Sequence, residues 1–124
     1  MAKNTTKTKK PAQSEALTYD TIIEAFRQKV AKATAPVDAC VATQITLYGS
    51  VEGVLYIVIA NGIAKVEPFD YKGADIEVDA DADTFMSVLS GNKALSTAIA
   101  EGDIKMQGNA GKAIILGTTA FFHN

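Results

Sequence analysis

The amino-acid sequence predicts an α+β domain with five strands and flanking helices. Two observations carry this prediction. Five short segments have the period-two alternation of β-strands, and the segments that flank them place apolar residues at helical spacing. A chain of 124 residues, 48% apolar and 21% charged, is long enough for one domain with a buried core.

The first fourteen residues, MAKNTTKTKKPAQS, differ in composition from the rest of the chain. They hold four of its 12 basic residues and almost nothing apolar. We therefore expect a disordered, Lys-rich tail over residues 1–14 and a single domain over residues 15–124. The tail either keeps the protein in solution or is attracted weakly to anionic membranes, by about 1 kcal/mol per lysine near the surface.

The composition of the domain argues against several classes of function. From residue 15 onward there are 8 basic and 14 acidic residues, and without a concentrated basic surface we expect no nucleic-acid partner. One cysteine (Cys40) and one histidine (His123) exclude a disulfide framework and a structural zinc site, and Cys40 is expected to be a small buried apolar residue. We expect no cofactor and no enzymatic activity, because no acid–base pair lies in an apolar setting.

No apolar stretch follows the lysines of the tail as it would in a secretory signal, and no run approaches 18 apolar residues. We therefore expect a cytoplasmic location.

The first predicted element is an amphipathic helix that begins near Leu17. Thr18 and a capping-box pattern, Thr21-x-x-Glu24, indicate its start, and it should end before Pro36. Its apolar stripe consists of Ile22, Ile23, Phe26 and Val30.

Three strands are predicted next, over residues 41–47, 54–60 and 63–67. Asn61-Gly62 between the second and third tolerates the positive φ of a tight hairpin turn, which predicts an antiparallel meander. The segment VLYIVI is apolar on both faces, so we expect a central strand that is covered on both sides, with the helices as the cover.

The second half of the chain predicts a strand over residues 74–79 and a helix capped by Asp81-Ala-Asp83 and closed by Gly91. A short helix over residues 93–100, with Leu95 and Ile99 four apart, should stop at Gly102. A fifth strand over residues 103–107 turns Ile104 and Met106 inward, and a last helix begins at Gly111.

Two motifs imitate ion-binding loops. Asp79-x-Asp81-x-Asp83 resembles the start of a calcium loop but lacks its glycine and its last glutamate, so helix capping is the preferred interpretation. The stretch from Gly108 to Lys112 resembles a phosphate loop, but the spacing is wrong. A turn between a strand and a helix is preferred there over an anion site made by free backbone N–H groups.

The order ADIEVDADADTFMSVLSGN, a short helix and GDIKMQGNAGKAIIL resembles the sterol carrier protein-2 family of non-specific lipid-transfer domains, in its free-standing form. The resemblance is specific from Ala74 onward. It implies an α+β fold in which the five strands form one mostly antiparallel sheet, with helices packed on one face and an apolar tunnel between them. It also implies non-catalytic binding and transfer of fatty acids, fatty acyl-CoA or sterol-like lipids.

On this resemblance, the residues expected to line the tunnel are apolar side chains chosen by face and element. They are Ile23, Phe26, Val30, Phe85, Val88, Leu89, Met106, Ile114, Ile115, Phe121 and Phe122. Phe121 and Phe122 could form a lid or membrane-touching tip, or instead pack against the sheet edge. The alternative function is an accessory module that pairs with itself or with an enzyme, and a monomer and a homodimer are both compatible with the sequence.

Overall fold

The computed structural model describes residues 17–120. Within them the helices are α1 (Tyr19–Ala31), α2 (Ala82–Leu89), α3 (Leu95–Glu101) and α4 (Ala110–Ala120). The strands are β1 (Cys40–Tyr48), β2 (Gly53–Ala60), β3 (Ile63–Glu67), β4 (Ile76–Asp81) and β5 (Ile104–Gly108). The predicted tail over residues 1–14 lies outside this part of the chain, as do Phe121 and Phe122.

The strands form one sheet in the order β3-β2-β1-β4-β5. Three of its strand pairs are antiparallel, and the pairing of β1 with β4 is parallel. The predicted meander of the first three strands is confirmed. Its turn has positive φ at Asn61 (56°) and Gly62 (80°), which is the backbone of a two-residue hairpin turn.

One face of the sheet is buried and is covered by the helices. Along β1 the buried side chains of Val41, Ile45 and Leu47 alternate with side chains of the other face. Along β4, Ile76 and Val78 face the helices, while the alternating carboxylates of Glu77 and Asp79 face water. The predicted α+β fold, with helices on one face of a five-stranded sheet, is confirmed.

The expectation that helices cover both sides of β2 is wrong. This strand lies second from the edge, and its buried residues all face the helices. On the opposite face Tyr56 is half-buried and packs against Tyr71 of the loop before β4, with ring centroids 5.1 Å apart. A loop aromatic and neighbouring side chains therefore shield apolar residues of this open face without a helix.

Helix α1 begins at the predicted cap but not with the predicted capping box. The hydroxyl of Thr18 accepts the backbone N–H of Thr21 at 3.1 Å, so Thr18 is the N-cap and Thr21 is the third residue of the helix. Arg27 holds the helix on β3, because its Nε donates to the carbonyl of Val66 at 3.0 Å.

Cys40 was expected to be buried, and that expectation is wrong. It is the first residue of β1 and is exposed. The apolar residues around it belong to the strand that follows, and the buried face of this strand begins at Val41.

Candidate functional site

The space between the helix-covered face of the sheet and the helices is the inner layer. On the sheet side it is formed by the buried apolar residues of all five strands. On the helix side the buried apolar residues come from all four helices: Ile22, Ile23, Phe26, Val30, Ala82, Phe85, Val88, Leu89, Ala98, Leu116 and Ala120. The layer is therefore a continuous apolar region. A hydrocarbon chain can contact these apolar side chains without breaking hydrogen bonds.

One part of the inner layer is filled by large rings. Phe26 of α1 and Phe85 of α2 are both fully buried, and their rings meet edge to face with centroids 5.4 Å apart and an interplanar angle of 89°. Edge-to-face rings at this distance attract each other and leave little free volume. We call the region formed by α1 and α2 the aromatic half.

The other part of the inner layer lies under α4, which packs against α1, β1 and β5. We call it the α4 half. Of its own side chains α4 buries only Leu116, Thr119 and Ala120. A methyl group built on Gly117 would approach nothing closer than a Leu95 methyl at 4.0 Å, apart from its own helix. This helix therefore contributes one large side chain, Leu116, and no aromatic ring to the inner layer, and a methyl group at Gly117 would make an ordinary contact without a clash.

The predicted tunnel residues that the structure describes differ in burial. Six are buried in the inner layer: Ile23, Phe26, Val30, Phe85, Val88 and Leu89. Met106 and Ile115 are half-buried against the same core. Phe121 and Phe122 lie outside the described residues. That these residues line a tunnel stays a prediction.

Ile114 was expected to face inward, and this is wrong, because its side chain is 68% exposed. Neighbouring residues of a helix point about 100° apart, and here Ile115 lies at the edge of the inward face, half-buried, while Ile114 points to solvent. The inward stripe is instead Ala113, Leu116 and Ala120, at helical spacing. This i, i+3, i+7 pattern was legible in the sequence and would have found Leu116 and Ala120.

In α3, Ala98 is the buried residue, whereas Ile99 is 41% exposed and Leu95 is half-buried.

Thr43 is a polar side chain in the inner layer that the sequence analysis did not single out. It is fully buried at the middle of β1, and its hydroxyl has no hydrogen-bond partner among the described residues. Its neighbours across the strands, Ile57 and Ile76, are apolar and buried. An unpartnered hydroxyl in such a place costs about 1–3 kcal/mol.

A group of polar contacts fixes the start of α4. The carboxylate of Asp75 accepts the backbone N–H of Ala42 at 2.9 Å and the ammonium group of Lys112 at 3.1 Å. Both contacts lower the pKa of Asp75, and the hydrogen bond from the backbone of Ala42 lowers it more than the contact with Lys112 does. Asn109 caps the helix by accepting the backbone N–H of Lys112 at 2.9 Å.

Gly108 makes this turn feasible. Its φ is +133°, and a Cβ there would lie 2.2 Å from the carbonyl oxygen of Asp75. The stretch that resembles a phosphate loop is thus a turn between a strand and a helix. Lys112 and one of the N–H groups that an anion would need are already engaged.

The Asp79-x-Asp81-x-Asp83 motif also has a structural role. Asp81 is the N-cap of α2 and accepts from both the backbone N–H and the hydroxyl of Thr84, each at 3.1 Å. Asp83 accepts the hydroxyl of Ser50 at 3.0 Å. Within residues 17–120 no cluster of three or more His, Cys, Asp or Glu side chains is arranged to hold a metal ion.

A groove of about 260 Å³ runs over the aromatic half between α1 and α2. Its lining combines three apolar side chains, three polar or charged ones and a serine: Ala25, Met86, Leu89, Gln28, Lys29, Lys32 and Ser90. Burial, and then the charge of Lys32, lower the pKa of Lys29, which is 7% exposed.

None of the helices between residues 17 and 120 combines the length and apolar character needed to cross a membrane.

Comparison with known proteins places this architecture in a family. A model of the SCP-2 sterol transfer family matches residues 20–120. The chain therefore belongs to this family. Among curated proteins no significant match is found.

Several solved structures share the fold. Palmitated SCP2L2 from Aedes aegypti is 16% identical with a TM-score of 0.67, covering 87% of this chain and 98% of that one. Sterol carrier protein 2 from Yarrowia lipolytica in its apo form is 17% identical with a TM-score of 0.52, covering 90% of this chain and 81% of that one.

An enzyme contains the same fold as a small part. The sec-alkylsulfatase Pisa1 from Pseudomonas sp. is 17% identical with a TM-score of 0.54, covering 68% of this chain but 13% of that one. At these identities each likeness shows the fold alone.

Proposed function

We propose that the protein binds single hydrophobic molecules within the inner layer and carries them through the cytoplasm, without changing them covalently. Fatty acids, fatty acyl-CoA and sterol-like lipids are the ligand classes that fit. The observation that carries the proposal is the continuous apolar layer between one face of the sheet and the helices, in a chain that belongs to the SCP-2 sterol transfer family.

Burial of hydrocarbon is sufficient to drive such binding. Each CH₂ group moved out of water contributes about 0.8 kcal/mol, so a long acyl chain needs no catalytic or charged group to be held. A polar side chain in the layer, in contrast, would need a hydrogen-bond partner on the bound ligand. Apart from Thr43 and Thr119, the buried residues that β1 and α4 contribute are apolar.

We place the ligand in the α4 half of the layer. The aromatic half is occupied by two interlocked rings, so opening it would separate Phe26 from Phe85. Under α4 the buried side chains are Leu116, Thr119 and Ala120, without an aromatic ring, and a methyl group can be added at Gly117 without a clash. A ligand that lifts α4 would therefore lose fewer protein contacts than one that lifts α1.

The C-terminal aromatics complete this proposal. We propose that Phe121 and Phe122, which follow directly on α4, help to close the ligand site. Truncation after Ala120 removes both rings and keeps every buried residue of α4. If the rings act as a lid, the truncated protein releases a fluorescent fatty acid faster, and an unchanged release rate from a folded truncated protein would contradict this role.

The test of the function is a transfer assay between vesicles. Donor vesicles contain a self-quenched fluorescent acyl lipid, and acceptor vesicles contain none. The carrier proposal predicts that the protein increases the transfer rate in proportion to its concentration. Native mass spectrometry of the purified protein gives an independent answer: an oligomer of fixed stoichiometry without lipid, together with no accelerated transfer, would favour an accessory module instead.

The Lys-rich tail is assigned a supporting role. We propose that its lysines draw the carrier weakly to anionic membranes. Transfer from anionic donor vesicles should then decrease with added salt more steeply than transfer from zwitterionic ones.

A further inference from the structure

We propose that Thr43 forms a polar subsite inside the inner layer, which hydrogen-bonds an uncharged oxygen of the bound lipid, either a hydroxyl or a carbonyl. The inference rests on the proposed carrier function and adds to it the chemistry of the ligand's buried polar group. It follows from the position of this one hydroxyl in an otherwise apolar part of the sheet.

The surroundings of Thr43 explain why its hydroxyl is unusual. On β1 the next residues on the same face are Val41 and Ile45, and both are buried. The residues paired with it on either side, Ile57 and Ile76, are buried as well. None of these four side chains has a polar atom, so none can receive or donate a hydrogen bond.

A purely structural role does not require a hydroxyl at this position. Valine has nearly the same shape as threonine and the same preference for strands, and it would leave no buried polar atom without a partner. The hydroxyl of Thr43 is fully buried and unpartnered among the described residues, which destabilises the ligand-free protein. A bound oxygen would remove this cost, because a hydroxyl can both donate and accept.

The location of Thr43 suits a ligand under α4. The residue lies in the middle of β1, and β1 is one of the strands against which α4 packs. The partner is expected to be uncharged, because an ionised carboxylate moved into this apolar layer without a counter-charge would be strongly disfavoured. The subsite thus selects alcohols, esters and thioesters over plain hydrocarbons.

The test compares two ligands of equal chain length, radiolabelled hexadecanol and hexadecane, as they partition from phosphatidylcholine vesicles onto the protein. Thr43→Val should reduce the uptake of hexadecanol about tenfold, as expected for one buried hydrogen bond, and leave the uptake of hexadecane unchanged. Thr43→Ser keeps the hydroxyl and should retain the preference for the alcohol. Thr46→Val is the matched control, because Thr46 lies on the same strand but faces the open side of the sheet.

The possible results separate the two proposals. If Thr43→Val takes up hexadecanol as well as the unchanged protein does, the subsite is wrong and the carrier function stands. If the unchanged protein takes up neither ligand, the carrier function is wrong and the subsite with it. A urea titration without ligand adds a second readout: Thr43→Val should raise the unfolding midpoint, and a lower midpoint would mean that the hydroxyl has a partner in the ligand-free protein.

Discussion

The two halves of the inner layer are built from the same sheet but closed in different ways. The aromatic half is closed by large buried side chains, with Phe26 and Phe85 in edge-to-face contact. The α4 half is closed by a helix whose buried side chains are Leu116, Thr119 and Ala120. Large rings contribute more buried area and more contacts per residue, so the first half should supply most of the stability.

This difference suggests a division of roles within one small domain. A carrier must keep its fold while a large apolar ligand enters and leaves. If one part of the core is held by interlocked rings and another by a helix with fewer buried side chains and no aromatic ring, the ligand can displace the second without unfolding the first. The polar contacts of Asp75 and the turn at Gly108 would hold the start of α4 in place while the rest of the helix yields.

The largest effect is expected from a substitution in the aromatic half. Phe85→Ala removes a fully buried ring and its contact with Phe26, and should lower the free energy of unfolding by about 3–5 kcal/mol. Phe69→Ala is the control, because Phe69 is 62% exposed and should change stability by less than about 0.5 kcal/mol. Urea unfolding followed by circular dichroism measures the stability of both variants. Equal losses would contradict the claim that the aromatic half supplies most of the stability.

A smaller loss is expected where α4 is attached to the sheet. Gly108→Ala places a methyl group against the carbonyl of Asp75 and strains the backbone at φ +133°, which should cost about 3 kcal/mol. Gly102→Ala is the matched control: it also has a positive φ, but open space surrounds it, so the cost should be about 1 kcal/mol. Similar losses for the two variants would mean that the turn can relax.

The carboxylate of Asp75 should give a smaller effect that depends on pH. Its pKa is lowered in the folded protein, so its ionised form stabilises the fold above the ordinary pKa near 4 and ceases to do so as the pH falls through the lowered value. Asp75→Asn should cost about 1 kcal/mol at neutral pH, less than a fully buried hydrogen bond to a charged group, because solvent screens these partly exposed side chains.

The difference between Asp75→Asn and the unchanged protein should shrink as the pH falls below about 4. Glu77→Gln serves as the control, because Glu77 is an exposed carboxylate of the adjoining strand. A difference that is independent of pH would show that the charge of Asp75 is not what holds α4.

The smallest effect on stability, and the most informative one on the α4 half, is expected at Gly117. Gly117→Ala should raise the free energy of unfolding by about 0.5–1 kcal/mol, because alanine favours helix and the space beside Gly117 accepts a methyl group. Gly117→Leu should fill that space and weaken lipid uptake. Gly111→Ala, at the exposed start of α4, should change stability about as much as Gly117→Ala does and should leave lipid uptake unchanged. If Gly111→Ala weakens uptake as much as Gly117→Leu does, a site under α4 is contradicted.

The sequence predicted the order of the elements well, because local signals define them. Asn61-Gly62 marked the hairpin, Thr18 marked the start of α1, and Asp81 marked the start of α2. Period-two alternation was also sufficient to identify which face of β4 is buried. Such signals depend on a few neighbouring residues and not on contacts with the rest of the chain.

Most of the incorrect predictions concern structural features that depend on contacts between residues distant in the sequence. The two-sided apolar pattern of β2 could not show that Tyr71, from another part of the chain, would shield its second face. Ile114 was a different kind of error: the helical spacing of Ala113, Leu116 and Ala120 already indicated the inward face, and Ile114 lies outside it. Thr43 gave no signal, because threonine is common in strands and its missing partner is visible only once its neighbours are known.

The central claim is that the ligand lies under α4, and methyl NMR tests it most directly. The protein is labelled at Ile, Leu and Ala methyl groups and saturated with a fatty acid, and intermolecular nuclear Overhauser effects are recorded. The account predicts contacts from the acyl chain to Ala113, Ile115 and Leu116. Contacts confined to Ile22 and Leu89 of the aromatic half, or no contacts at all, would contradict it.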